Sequence, residues 1–77
     1  MKFFTIEIKT VSGATTQAIY ERADLKTALS AHHQTMASAL SDSSCTEVLS
    51  MVINSAGGVH VKDYWKAEPA PEAETEA

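Results

Sequence analysis

Residues 24–40 constrain this chain most, because they read as a single amphipathic helix lying between two segments that each read as a strand hairpin. Asp24 is suited to cap that helix: its carboxylate can accept a bond from a first-turn N–H, and its charge suits the positive helix end. Leu25, Ala28, Leu29, His32, Met36, Ala39 and Leu40 follow the i, i+3, i+4, i+7 rule and at about 100° per residue share one side, the expected buried stripe. The run Ser41-Asp42-Ser43-Ser44 favours a turn, since its short polar side chains compete for backbone bonds. On the outer side stand Thr27, Ser30, Ala31, Gln34, Ala37, Ser38 and Ser41, with Lys26 the one charge. Small uncharged residues let another surface approach without desolvating ions, so Ser30, Gln34 and Ser38 are candidate interface residues.

The flanking segments alternate with the period of strands. In residues 3–9, Phe4, Ile6 and Ile8 alternate with Thr5, Glu7 and Lys9, which predicts one core face and one wet face. Val11-Ser12-Gly13-Ala14 reverses the chain and residues 15–22 return, forming a first hairpin. Residues 45–54 are apolar on both faces, with Leu49, Met51 and Ile53 on one and Val48 and Val52 on the other, as befits a central strand. The turn Asn54-Ser55-Ala56-Gly57-Gly58 leads to residues 59–65. There Asp63 falls in phase with Val59, Val61 and Trp65, which predicts a bulge or strand end near Asp63.

The result is an α+β fold, a ββαββ two-layer sandwich. If the helix crosses the sheet, the third strand runs parallel to the second, and placing it beside the first gives an antiparallel sheet of order 2-1-3-4. One helix covers one face only. Phe3, Val48, Val52 and Tyr64, joined by Ile19 if the register allows, are expected on the open face as further candidate interface residues.

At 77 residues with 44% hydrophobic content there is room for one small core. The net charge of −4 divides unevenly. Residues 1–66 hold six bases (Lys2, Lys9, Arg22, Lys26, Lys62, Lys66) and six acids (Glu7, Glu21, Asp24, Asp42, Glu47, Asp63), so the excess falls on Glu68, Glu72, Glu74 and Glu76. Residues 1–66 are thus read as one domain and residues 67–77, rich in Ala, Glu and Pro, as a disordered acidic tail. Nucleic acid is not an expected partner, because phosphate contacts need clustered Lys and Arg. No stretch suits a membrane span or signal peptide, and the lone Cys45 allows no internal disulfide, so a cytoplasmic setting is expected.

His32, His33, His60 and Cys45 raise the question of a metal or catalytic site. Adjacent histidines diverge on a helix, unlike the i, i+4 pair of zinc-binding helices, so no metal is expected. A buried neutral His32 with a bonded ring is the expectation. No Ser/His/Asp or paired-carboxylate pattern and no phosphate loop stands out, so neither catalytic residue nor cofactor is assigned.

The strings Ala28-Leu29-Ser30-Ala31-His32-His33-Gln34-Thr35-Met36-Ala37-Ser38-Ala39, Ser44-Cys45, Met51-Val52-Ile53-Asn54 and Tyr64-Trp65, followed by a Glu/Pro tail, resemble small uncharacterised proteins of Gram-positive gut bacteria and their mobile elements. The resemblance spans nearly the whole chain and implies a bacterial or prophage setting, with no enzymatic activity or cofactor attached.

Three readings follow. The first is a non-enzymatic protein-interaction module, a homodimer or the subunit of a larger partner. The second is an acidic phage- or plasmid-type inhibitor of a nucleic-acid-processing protein, which the neutral count over residues 1–66 disfavours. The third is a small-ligand binder or enzyme using His32, His33 and Cys45.

Overall fold

Asp24 caps the helix as its chemistry requires: its side chain accepts a 2.7 Å bond from the Thr27 N–H, on an extended backbone that turns helical at the next residue. The computed structural model describes residues 1–67. Around the helix α1 (Leu25–Ser41) lie the strands β1 (Phe3–Val11), β2 (Ala14–Arg22), β3 (Cys45–Asn54) and β4 (Val59–Lys66). They form one antiparallel sheet in the order β2-β1-β3-β4, so the fold is α+β with the expected ββαββ succession. The assigned tail lies outside the described residues except for Ala67, whose N–H still bonds the Thr46 carbonyl at 2.8 Å.

Turn chemistry closes both hairpins. Ser12 and Gly13 both take positive φ, 52° and 85°, the two-residue reversal whose twist matches that of paired strands. In the second hairpin the Asn54 side-chain oxygen accepts from the Ala56 and Gly58 N–H groups, and Gly57 supplies a φ of 91°. Beyond the helix, Asp42 receives both the N–H and the hydroxyl of Ser44 and so steers the chain into β3.

The helix lies on the face opposite to the one the strand pattern suggested. In β1 it covers Thr5 and Glu7, and Val11 also packs on this side; in β3 it covers Val48, Ser50 and Val52; in β4, Asp63. Val48 and Val52 are therefore fully buried, and Phe3 shares their face with its ring against His60, so none of the three belongs to an open surface. Tyr64 and Ile19 do stand on the open face, 56% and 67% exposed. With them are Phe4, Ile6, Ile8, Leu49, Met51 and Ile53, the more apolar sets of the two central strands. The cause is chemical: His32 sits at the centre of the helix stripe and needs polar partners, which Ser50 and Asp63 offer on this side of the sheet, whereas β3 presents Leu49, Met51 and Ile53 on the other.

Two smaller expectations also change. The β4 bulge falls at His60, where the register slips between Val52 and Ile53, and not near Asp63. Val59 thereby moves to the open face while Val61 and Asp63 stay under the helix. Leu40 is 55% exposed, because the buried positions Ala28, His32 and Ala39 define a narrow stripe and Leu40 sits about 100° round from Ala39.

Hydrogen bonding to Thr27 holds the Asp24 carboxyl below its ordinary value of 3.8. A depressed folded-state value means stability that is complete above the unfolded value and lost as pH falls through the folded one. Asp24→Ala should therefore lower the urea midpoint at neutral pH, and the gap from the wild-type chain should close in strong acid. Asp24→Asn keeps an acceptor and should recover much of the loss. A gap independent of pH would contradict the charged cap.

Candidate functional site

Three surfaces or clusters bear on function: the buried His32 cluster, the outer side of the helix, and the bare sheet face. His32 has 0% exposure and is the largest fully buried side chain among the described residues. Its Nδ1 lies 2.8 Å from Ser50 Oγ on β3, and its Nε2 lies 2.7 Å from Asp63 Oδ2 on β4. In the neutral tautomer, Nε2–H donates to the carboxylate and Nδ1 accepts from the hydroxyl. In the imidazolium both nitrogens donate, and the Ser50 hydroxyl turns to accept. No buried side-chain nitrogen or oxygen among the described residues lacks a partner.

Serine, histidine and aspartate joined through one imidazole have the composition of a hydrolytic triad, with the two ring nitrogens exchanged: the triad's serine bonds Nε2 and its aspartate Nδ1. Access decides against that use: Ser50 is 1% exposed beneath the helix, and a nucleophile must reach its substrate. The cluster instead ties α1 to both β3 and β4. Thr35 adds a parallel tie, its hydroxyl donating to Glu7 on β1 at 2.9 Å. Arg22 is held in turn by a 3.0 Å bond from its Nε to the buried Thr5 hydroxyl and by stacking over Tyr20.

The sequence candidates separate. Cys45 is buried with Ala39 and Val48, against Val11 and Met36. His33 is exposed, its ring edge-on to His32 at 5.2 Å. His60 bonds the Asn54 side chain near the turn of the second hairpin. Among the described residues no three His, Cys, Asp or Glu side chains gather where they could hold a metal ion. Ser50 and Asp63, which do meet His32, were not singled out by sequence as its partners. A signal existed in Asp63, whose charge interrupts an apolar phase.

On the helix's outer side, Ser30 and Gln34 help line an open groove of about 550 Å³ with Arg22, Lys26, Thr27 and Ala31. Ser38 is exposed outside it. Both cations sit at one end of α1, so a partner here would have to desolvate them or bring acids.

The bare sheet face differs in kind. Its central rows are Phe4-Ile53, Ile6-Met51 and Ile8-Leu49, extended on the β2 side by Glu21, Ile19 and Gln17 and on the β4 side by Val59, Lys62 and Tyr64 respectively. By contrast, the buried apolar residues between helix and sheet are Ala28 and Ala39 on α1 and Cys45, Val48 and Val52 on β3, all small. At the rim the Tyr64 hydroxyl donates to Glu47, a bond that raises the phenol above its ordinary 10.0, with burial and the Glu47 charge adding to the rise. No described helix is long and apolar enough to cross a membrane.

Comparison with protein-family models, curated proteins and solved structures finds no match for this chain. Its function is therefore argued from its own surfaces.

Ser50→Ala strands His32 Nδ1 in a dry site and should cost about 1–3 kcal/mol. His32→Leu strands the Ser50 hydroxyl and should cost a similar amount. The double variant removes both partners, so its loss in urea denaturation should fall clearly short of the sum. Additive losses would show that the two groups are not coupled.

Proposed function

We propose that this chain is a non-enzymatic protein-interaction module whose working surface is the bare face of its sheet and whose partner is a second copy of itself. The supporting observation is that Phe4, Ile6, Ile8, Leu49, Met51 and Ile53 of the two central strands lie on the uncovered face, whereas the helix side of those strands carries Thr5, Glu7, Val48, Ser50 and Val52, with Phe3 its one large apolar residue. A two-layer domain ordinarily puts its richest apolar face inside; here that face is buried only when another layer is added. A two-fold partner supplies a self-complementary layer and yields an α/β/β/α assembly.

Magnitudes favour this occupant. Four strands about 4.8 Å apart and some eight residues at about 3.4 Å each make a face of roughly 500 Å² per copy. Two such faces bury about 1,000 Å², the lower bound for a specific interface. At about 25 cal/mol per Å² for the apolar two thirds, the gross gain is about 16 kcal/mol against an association cost of about 4–15 kcal/mol. Catalysis draws no comparable support, because Ser50 and His32 of the Ser-His-Asp cluster are buried out of a substrate's reach.

Light scattering across a dilution series should give twice the 8.3 kDa chain mass, and the thermal midpoint should rise with protein concentration, as for any fold coupled to association. Met51→Lys places a charge at the centre of the face and should shift the mass towards 8.3 kDa at concentrations where the parent chain is dimeric. A chain of 8.3 kDa at every concentration, with a midpoint independent of dilution, would refute self-association.

A further inference from the structure

The bare face carries its charges asymmetrically, and this decides how two copies stack. On the β4 side stand Lys62, in the row of Met51, Ile6 and Ile19, and Lys66, in the row of Glu47, Thr10 and Thr15. On the β2 side the charged residue of this face is Glu21, paired with Phe4, and Lys2 approaches it to 3.9 Å. Gln17 and Thr15 complete that side without charge.

Resting on the self-association proposed above, we infer that the two copies are related by a two-fold axis parallel to the strands, with β4 of each copy over β2 of the other and β1 over β3. Two sheets in aligned face-to-face packing admit a two-fold either along the strands or across them. An axis across the strands puts β4 over β4 and β2 over β2, gathering four lysines on one rim against only the two Glu47 carboxylates beside it on β3, and two Glu21 carboxylates, each near a Lys2, on the other. An axis along the strands gives both rims the lysines of one copy and the Glu21 of its partner. Segregated like charge raises the free energy of an interface, and complementary charge fixes its register.

The row alignment adds detail. Because Ile19 and Lys62 occupy one row, the strand-parallel axis sets the Lys62 stem over Ile19 of the other copy. Its ammonium then reaches towards Glu21, two residues along on the same face. A lysine in an apolar row is thereby accommodated, its stem covered and its head at the wet rim. The central rows interdigitate Phe4, Ile6 and Ile8 with Ile53, Met51 and Leu49 of the other copy. Both helices stay on the outside, and both His32 clusters are untouched.

Cross-linking by a short bis-maleimide tests the arrangement in a Cys45→Ser background, using Ile19→Cys, Lys62→Cys and the double variant, all at exposed positions. The double variant should give a covalent dimer, as should a mixture of the two single variants, whereas each single variant alone should not link. A single variant that links efficiently to itself, or a dimer of doubled mass in which nothing links, overturns the strand-parallel axis while leaving self-association standing. A parent chain that scatters as 8.3 kDa throughout overturns the shared premise instead. Dimer mass is measured on every variant first, so loss of association is separated from loss of the predicted proximity.

Discussion

The imidazole of His32 decides which way this fold faces. A histidine in the middle of a helix stripe brings two ring nitrogens into a dry interface, and each must find a partner or leave a buried polar group unpaired at about 1–3 kcal/mol. Ser50 and Asp63 stand opposite one another on β3 and β4 and meet both nitrogens at once. On the other side of the same strands, Leu49, Met51 and Ile53 could satisfy neither. Helix placement thus follows from hydrogen-bonding need and not from the size of the apolar face. The price of that placement is a covered core of alanines, valines and one cysteine.

From this choice the remaining surface follows. The polar ties between layers, His32 to Ser50 and Asp63 and Thr35 to Glu7, are directional and fix the helix in one position, whereas small side chains packed beneath it contribute little burial. The bulk of the aliphatic area is displaced to the reverse of the sheet. A chain of this size has few other sources of stability, and an added layer turns the displaced area into burial. The polar interface supplies uniqueness, and the apolar face supplies the driving force for the proposed association.

Much of the fold could be read from the sequence because its local signals agree. Asp24 at the cap, Gly13 and Gly57 at reversals, and the change from period two to period 3.6 and back located every element, and short connections with one crossover left the order 2-1-3-4. What period two could not supply was the side to which the helix belongs. Phe4, Ile6 and Ile8 look like a core face by composition, and β3 is apolar on both faces, so the pattern alone points Val48 and Val52 outward. Two residues held the missing information. His32 within the stripe demands polar partners, and Asp63, a charge in phase with Val61 and Trp65 on the covered face, is the partner and not the mark of a bulge. The actual bulge at His60 leaves no such trace, since it depends on how Val52 and Ile53 pair with β4.

The two candidate contact surfaces are therefore not rivals for the same role. The groove beside α1 is polar and flanked by Arg22 and Lys26; covering it means desolvating charge, which is unfavourable without acidic partners. Covering the sheet face removes aliphatic side chains from water and leaves Lys62, Lys66 and Glu21 at the rim, where they stay hydrated. Hydrophobic burial is non-directional and scales with area, so in the proposed pair the sheet face would dominate the energetics, while charge at its edge would select among the ways two copies can meet. Since α1 lies on the far side of the sheet, its groove would remain open in the proposed pair, and the outer surface of that assembly would be set by helix residues that play no part in holding it together.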